Sequence, residues 1–215
     1  SAHQCSPTGG LGMHTGMEEA VNLAWKLAAR LRGWGGEKLL DSYALERRPV
    51  ALRNVAVATG AFRAIAAIPG TRVSEDTVTT YVREHLPTFS VSEPSKIDYA
   101  YEASPICAAD QSGSLRPGVR APHVWLDDER STLDLVQDGF TLLRLGRTPP
   151  PAEALVAAAK ARDVPIAVEI LSSPEVLNAY GRQLALMRPD GHLAWTGDTP
   201  PDDALLLIDR VRGAH

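Results

Sequence analysis

Apolar and polar positions recur with helical spacing in the first third of the chain. Thr15 and Glu18 fit a capping box, which predicts that a helix begins at Thr15, with Glu19 on its solvated face. The apolar positions predict an amphipathic helix with a core-facing stripe; they are Met17, Ala20, Val21, Ala24, Leu27, Ala28 and Leu31.

The helical pattern continues to about Ala67. The glycine-rich residues 33–36 predict the end of the first helix, and Pro49 is placed at the start of a third. Residues 97–102 alternate like a strand. One more short helix is predicted from the spacing of Val78, Tyr81, Val82 and Leu86.

The second half alternates between strand and helix patterns. Helices are predicted at residues 152–161 and 202–211. Strands are predicted at residues 140–145, 166–171, 184–187 and 192–195, the last two joined by the turn at residues 189–191. This order suits a thioredoxin-like α/β domain, although other α/β folds stay open.

A polar link of small residues at 110–114 separates the two halves. We therefore predict two domains, residues 1–110 and residues 111–215. The whole chain has 215 residues, 44% of them hydrophobic, and a formal charge of -4. These values indicate an ordinary globular protein and exclude nucleic acid and an anionic membrane as expected partners.

Cysteine and histidine positions limit the chemistry further. Cys5 and Cys107 form no CxxC motif, which predicts reduced thiols and no thiol exchange. His3 and His14 have no carboxylate cluster with ligand spacing beside them, so no metal site is predicted. No apolar run reaches the roughly 20 residues of a membrane span, and no export signal is visible, so a cytoplasmic location is expected.

Glycines are concentrated immediately before the first helix. Glycine lacks a side chain and allows positive φ, so a planar ligand could lie directly on the main chain. The helix N-terminus behind it carries about half a positive charge. We therefore predict a cofactor site formed by Pro7, Thr8, Gly9, Gly10, Leu11, Gly12, Met13 and His14. A glycine turn that simply precedes an amphipathic helix is the alternative.

Three segments of the chain resemble one known family. Residues 2–27, from Ala2-His3 through the glycines to Asn22-Leu23-Ala24-Trp25-Lys26-Leu27, closely resemble the second FAD-contacting segment of the class A flavoprotein aromatic hydroxylases. Residues 39–49 are similar to the helix pair that follows this segment in the phenol-hydroxylase and polyketide-hydroxylase branches. Residues 188–195 resemble a signature near the family's C-terminus.

The resemblance implies an FAD-dependent monooxygenase that hydroxylates a phenolic or polyketide aromatic substrate with NAD(P)H and O₂. It implies that the main chain at residues 10–14 faces the N1–C2=O edge of the flavin, while Pro7 and Thr8 shape the other side of the ring. Residues 118–126 are similar to polyketide tailoring hydroxylases, which favours a polycyclic substrate. No catalytic side chain is assigned.

The family's N-terminal GxGxxG dinucleotide fold has no counterpart in this sequence. The chain is therefore expected to be the C-terminal portion of a longer enzyme, with the absent N-terminal FAD-binding part as its partner. The expected fold class is α/β: the helical C-terminal part of an FAD-binding hydroxylase region, followed by a thioredoxin-like α/β domain without CxxC.

Two alternatives to a working hydroxylase stay open. One is a non-catalytic thioredoxin-like module with a helical arm, serving interaction or dimerisation, so that a homodimer is one assembly to test. The other is a degenerate family member without turnover. Flavin separates the first alternative from the enzyme, because a pure interaction module should ignore FAD.

Overall fold

The computed structural model describes residues 3–8, 10–67, 75, 79–80, 99–108 and 115–214. The chain divides into two units. The first combines Ser1–Ala20 with Arg47–Tyr99, and the second combines Val21–Glu46 with Ala100–His215. The predicted link at residues 110–114 lies outside the described residues, and so do Val78, Tyr81, Val82 and Leu86, whose spacing predicted a short helix.

Helices dominate the described first part of the chain, as predicted. Helix α1 runs from Leu11 to Leu31 and helix α2 from Asp41 to Ala66, with a 3₁₀ turn at Glu37–Leu39 before α2. The prediction that Pro49 opens a third helix was wrong, because α2 continues through it. Proline removes one backbone hydrogen bond there, but the buried residue Val50 beside it keeps this part of α2 packed.

Helix α1 begins at Leu11 rather than at Thr15, so the predicted capping box was wrong. The Thr15 hydroxyl lies inside the helix and donates to the Leu11 carbonyl oxygen at 2.7 Å. Glu18 accepts a hydrogen bond from the Arg47 guanidinium at 3.0 Å instead of turning back to a cap. Residues predicted to start the helix therefore belong to its second turn.

The buried face of α1 also differs from the prediction. Met17 is 50% exposed, Val21 52% and Leu31 88%, although all three belong to the predicted core-facing stripe. Polar side chains can be buried at little cost when they are paired, and hydrophobic periodicity does not detect such pairing. The buried residues of α1 are Leu11, Thr15, Asn22, Trp25, Lys26 and Ala29.

A four-stranded mixed sheet organises the second unit. Its strands are β1 (Phe140–Leu145), β2 (Ile166–Leu171), β3 (Leu184–Met187) and β4 (Leu193–Gly197), in the order β2-β1-β3-β4. Strand β1 pairs parallel to β2 and antiparallel to β3, and β3 pairs antiparallel to β4. All four agree with the predicted strands to within two residues at each end.

Three helices accompany the sheet: α3 (Glu153–Lys160), α4 (Pro174–Tyr180) and α5 (Ala204–Val211). The sequence analysis predicted α3 and α5 but missed α4. The predicted strand at residues 97–102 is reduced, in its described part, to a single bridge between Ala100 and Val119. None of the described helices combines the length and apolar character needed to cross a membrane.

Strand β1 contributes to the core on both of its faces. Phe140 and Leu142 belong to one hydrophobic cluster, whereas Leu143 and Leu145 belong to another. In the first cluster Trp25 packs edge-on against Phe140, with ring centroids 6.1 Å apart. Trp25 is 7% exposed and belongs to this core.

Candidate functional site

The glycine loop, residues 7–14, turns directly into α1. Gly10 has a φ of +65°, and its N–H donates to the Pro7 carbonyl oxygen at 3.2 Å. A side chain at Gly10 would meet nothing within 4 Å, so the loop leaves open space at this point. The predicted site residue Gly9 lies outside the described residues.

Neighbouring positions of the loop are closed by local contacts. A Cβ atom at Gly12 would lie 3.3 Å from the Cβ of Cys5, so this glycine allows close packing within the loop. The Thr8 hydroxyl lies 2.9 Å from the Ser6 hydroxyl. The loop therefore has a packed position at Gly12 and an open one at Gly10.

The first turn of α1 supplies main-chain donors next to this open position. Helical hydrogen bonds reach back four residues, so the N–H groups of Leu11, Gly12 and Met13 have no partner within the helix. The Leu11 side chain is buried, whereas Met13 is 69% exposed and His14 is also exposed. The N–H groups at the start of a helix and the positive end of the helix dipole together suit an anionic or electron-rich ligand.

A chain of hydrogen bonds within the first unit holds this turn in place. The Asn54 side-chain amide of α2 donates to the Thr15 hydroxyl at 2.8 Å, and that hydroxyl donates to the Leu11 carbonyl oxygen at 2.7 Å. Both polar side chains are buried, with 2% of Thr15 and 6% of Asn54 exposed. The start of α1 is thus fixed by polar contacts.

Arg47 supports the next turn of α1. Its guanidinium donates to Glu18 at 3.0 Å and to the Tyr99 hydroxyl at 2.5 Å, and it lies 5.3 Å from the centre of the Tyr99 ring. Glu19, the next residue, lies 2.6 Å from Nε2 of His3. The prediction that Glu18 and Glu19 serve only as a cap and a solvated face was therefore wrong.

The second unit contains four buried charges that we call the buried charge cluster: Lys26, Glu46, Arg188 and Asp190. The exposed fraction of these side chains is 2% or less. Glu46 accepts from Lys26 at 2.7 Å and from both terminal nitrogens of Arg188, at 2.6 and 2.8 Å. Arg188 also donates to Asp190 at 2.5 and 3.0 Å.

Neutral side chains complete the hydrogen bonding of the two carboxylates. Asn22 donates to Glu46 at 2.8 Å, and the Ser104 hydroxyl donates to it at 2.5 Å. The Trp25 indole N–H donates to Asp190 at 3.2 Å. With two positive and two negative charges, the cluster is neutral and enclosed.

Burial and pairing shift the pKa values of the cluster in different directions. Burial alone would raise the pKa of Glu46, but Arg188 and Lys26 outweigh it and lower that pKa to about 2. Burial, together with Arg188, lowers the pKa of Lys26 to about 8. Burial opposes ionisation of Asp190 as well, yet Arg188 holds the pKa of that carboxyl well below its usual range.

Cys107 lies beside the cluster, with its sulfur 3.6 Å from Nη1 of Arg188. Burial raises the pKa of this thiol, so the cysteine stays protonated and poorly nucleophilic. Among the residues that the structure describes, no three His, Cys, Asp or Glu side chains gather as metal ligands would. The charges of the cluster thus pair with one another inside the second unit, and no pattern in the sequence predicted this pairing.

Two family models match the chain. One is described as an FAD binding domain and matches residues 1–58. The other is described as aromatic-ring hydroxylase, C-terminal, and matches residues 114–212. Together they cover the glycine loop, most of α2 and the whole sheet.

Relatives and a solved structure point in the same direction. The chain is 31% identical, over 98% of its length, to tetracenomycin B2 monooxygenase-dioxygenase of Streptomyces olivaceus. It is 32% identical, over 99% of its length, to 4-methyl-5-nitrocatechol 5-monooxygenase of a Burkholderia species. The rebeccamycin biosynthetic enzyme with reduced flavin matches all of the chain with a TM-score of 0.85 and 38% identity.

The match covers only part of each of these proteins. The chain spans 40% of the tetracenomycin enzyme, 42% of the nitrocatechol enzyme and 44% of the rebeccamycin enzyme. The activities of the complete relatives therefore cannot be assigned to this chain on similarity alone.

Proposed function

The chain belongs to the family of FAD-dependent aromatic-ring hydroxylases, and we propose that it acts as the C-terminal part of such an enzyme. The enzyme would hydroxylate an aromatic ring with NAD(P)H and O₂. The single observation that carries this proposal is the glycine loop, where open space at Gly10 adjoins the main-chain N–H groups of the first turn of α1.

The loop fits a flavin in shape and in charge. At Gly10 a planar ring would meet main chain rather than a side chain, because nothing lies within 4 Å of the missing Cβ. The adjacent N–H groups suit the electron-rich edge of such a ring. We propose that the cofactor is held by Pro7, Thr8, Gly9, Gly10, Leu11, Gly12, Met13 and His14.

FAD, when bound, supplies the redox and oxygen-transfer chemistry. The residues of this chain hold and polarise it. The N–H groups of the first turn of α1 would stabilise negative charge on the flavin, since the donors and the helix dipole point the same way. Pro7 and Thr8 would border the ring, and no side chain of this chain is assigned a proton transfer.

The proposed substrate is a phenolic or polyketide aromatic. Two relatives are named for tetracenomycin B2 and for 4-methyl-5-nitrocatechol, so both large and small rings occur among similar proteins. The similarity of residues 118–126 to polyketide tailoring hydroxylases favours a polycyclic ring.

We propose a thioredoxin-like fold without CxxC for residues 111–215, preceded by the hydroxylase-type region at residues 1–110. The strand order β2-β1-β3-β4, with one parallel and two antiparallel pairs, supports this fold. Its role would be docking or a homodimer contact. The location we propose is the cytoplasm.

The absent N-terminal FAD-binding part is the partner that we propose for the exposed apolar side chains of α1. Val21, Leu27 and Leu31 are 52%, 43% and 88% exposed on this one helix. Apolar surface of this kind is stabilised by about 25 cal/mol for each Å² that a partner covers. A non-catalytic interaction module remains the second candidate, because this surface would serve it equally well.

Flavin binding by the whole reading frame tests the proposal. Asparagine tolerates positive φ, so Gly10→Asn adds a side chain without the full backbone strain of other residues. We expect this variant to lose at least about tenfold in flavin affinity, measured by absorbance and fluorescence titration, because a steric block removes interactions worth about 1.4 kcal/mol or more.

Gly33→Asn is the matched control, since Gly33 also has positive φ and open space around its missing Cβ. It should bind flavin normally. A whole protein that binds no flavin, or a Gly10→Asn variant with normal affinity, would contradict the proposed site and favour the interaction module.

A further inference from the structure

We propose that His3 is a positioning residue for the glycine loop. Its hydrogen bond to Glu19 holds the segment that enters the loop against α1, and thereby fixes the loop in the shape that receives flavin. This inference rests on the proposed function, and it names a side chain outside the residues proposed to contact the cofactor.

The contact joins the two ends of the loop region within the first unit. Nε2 of His3 lies 2.6 Å from Oε1 of Glu19, and the two side chains are 29% and 15% exposed. The chain between them contains all eight proposed site residues. A contact at this place therefore closes the loop and reduces the conformations that it can adopt.

The two sides of the contact differ in rigidity. Residues 3–6 form neither helix nor strand, so the regular backbone ladder does not fix them. Glu19 lies inside α1, directly after Glu18, whose carboxylate is held by Arg47 at 3.0 Å. His3 therefore ties an irregular segment to a helix turn that is already anchored.

The position of Cys5 gives a second reason why the hydrogen bond between His3 and Glu19 affects the shape of the loop. The Cβ of Cys5 is the nearest neighbour of the missing side chain at Gly12, at 3.3 Å. If the entering segment moves, Cys5 moves with it, and the packing of Gly12 at the first turn of α1 is lost. The effect of His3 would thus reach the main-chain donors proposed to face the flavin.

A double-mutant cycle in the whole protein tests the proposal. We expect His3→Leu and Glu19→Leu each to raise the flavin dissociation constant by about tenfold, since a hydrogen bond to a charged group is being removed. The double variant should be no weaker than either single variant. His3→Gln keeps a donor nitrogen at a similar reach and should restore most of the affinity.

A second measurement follows the loop without flavin. Amide hydrogen exchange at Gly10, whose N–H donates to the Pro7 carbonyl oxygen, should be faster in His3→Leu than in the unmodified protein, whereas exchange in the sheet should not change. The control pair is Arg116 and Glu102, also 2.6 Å apart but with side chains 58% and 70% exposed. Removing that pair should leave flavin affinity and loop exchange as they were.

The outcomes separate this inference from the proposed function. If the whole protein binds flavin but the four affinities of the cycle are equal or simply additive, the positioning role is overturned. If the whole protein binds no flavin, the proposed function fails, and loop exchange alone decides on His3. Unchanged exchange in His3→Leu then overturns the inference, and faster exchange supports it.

Discussion

The glycine loop and the buried charge cluster both gather polar groups, but in opposite surroundings. At the loop, the main-chain donors of Leu11, Gly12 and Met13 lie beside open space at Gly10. In the cluster, the charges of Glu46 and Arg188 are fully buried and paired with each other. Main-chain donors beside open space can bind a ligand, whereas buried charges that are paired with each other already have their partners.

Two neighbouring residues of α2 contact different parts of the molecule. Glu46 accepts from Lys26 and Arg188 in the cluster, whereas Arg47 donates to Glu18 of α1. Successive helix positions point about 100° apart, so adjacent side chains can have different partners. The family-like segment at residues 39–49 therefore carries two separate structural tasks.

Removing the central cation of the cluster should have the largest effect on stability. Arg188→Met leaves Glu46 and Asp190 buried without their main counter-charge, which costs about 3–5 kcal/mol of unfolding free energy. Urea denaturation of the chain, with the variant and the unmodified protein side by side, measures the loss.

Arg116→Met is the control for this experiment. It removes a cation whose pair with Glu102 is exposed, which is worth at most about 1 kcal/mol. If the two variants lost similar amounts of stability, the cluster would not be the enclosed, stabilising arrangement that distinguishes it from the loop.

Lowering the pH should also destabilise the buried charge cluster, with a somewhat smaller effect on the unfolding free energy. The folded-state pKa of Glu46 is about 2, below its ordinary value of 4.5. The unfolded chain therefore takes up the proton first, so the stabilisation is present above pH 4.5 and is lost as the pH falls towards 2. Between these two pH values the loss of unfolding free energy amounts to about 3 kcal/mol.

Glu46→Gln tests this origin of the acid sensitivity. The variant is less stable near neutral pH, but its unfolding free energy should fall less steeply between about pH 4.5 and about pH 3. Some loss should persist, because Asp190 keeps its lowered pKa. An equally steep fall in both proteins would show that Glu46 does not carry this dependence.

The sheet could be predicted from the sequence because its signals are local. Strand β1 was predicted with the bounds that the structure has, because Phe140, Leu142, Leu143 and Leu145 concentrate apolar side chains within six residues. Helix α4 was missed although Ser173 caps it and Pro174 is its first residue, a standard start signal. Its seven residues were too few to show a period.

The buried face of α1 could not be predicted in the same way. Lys26 is buried because it donates a hydrogen bond to Glu46, and Glu46 also accepts one from Arg188. Arg188 lies 142 positions along the chain from Glu46. Periodicity assigns such a residue to solvent. The four charged residues of the cluster all lie in the segments that resemble the family. No physical pattern in the sequence indicates that these segments contact one another.

The candidate site divides along the same line. Its glycines are a local feature, so the loop was predicted from residues 7–16 alone, although the helix that follows begins at Leu11 rather than at Thr15. The contacts that hold it depend on Asn54, Arg47 and His3, which no local pattern connects to α1. The structure therefore adds the contacts that hold the candidate loop, which the sequence did not show.

The smallest expected effect concerns the hydrogen bonds at the start of α1. Thr15→Val keeps the side-chain shape but leaves the buried Asn54 amide without the hydroxyl that accepts its hydrogen bond at 2.8 Å. An unpaired buried donor costs about 1–3 kcal/mol, and we expect a loss within that range. Thr15→Ser keeps the hydroxyl, and its unfolding free energy should be close to that of the unmodified protein.

Thr15→Val combined with Asn54→Leu should recover part of the loss, because both partners are then apolar. Urea denaturation decides between the outcomes: if the double variant loses the sum of the two single losses, the two side chains are not coupled, and the start of α1 is not fixed by this hydrogen-bond chain.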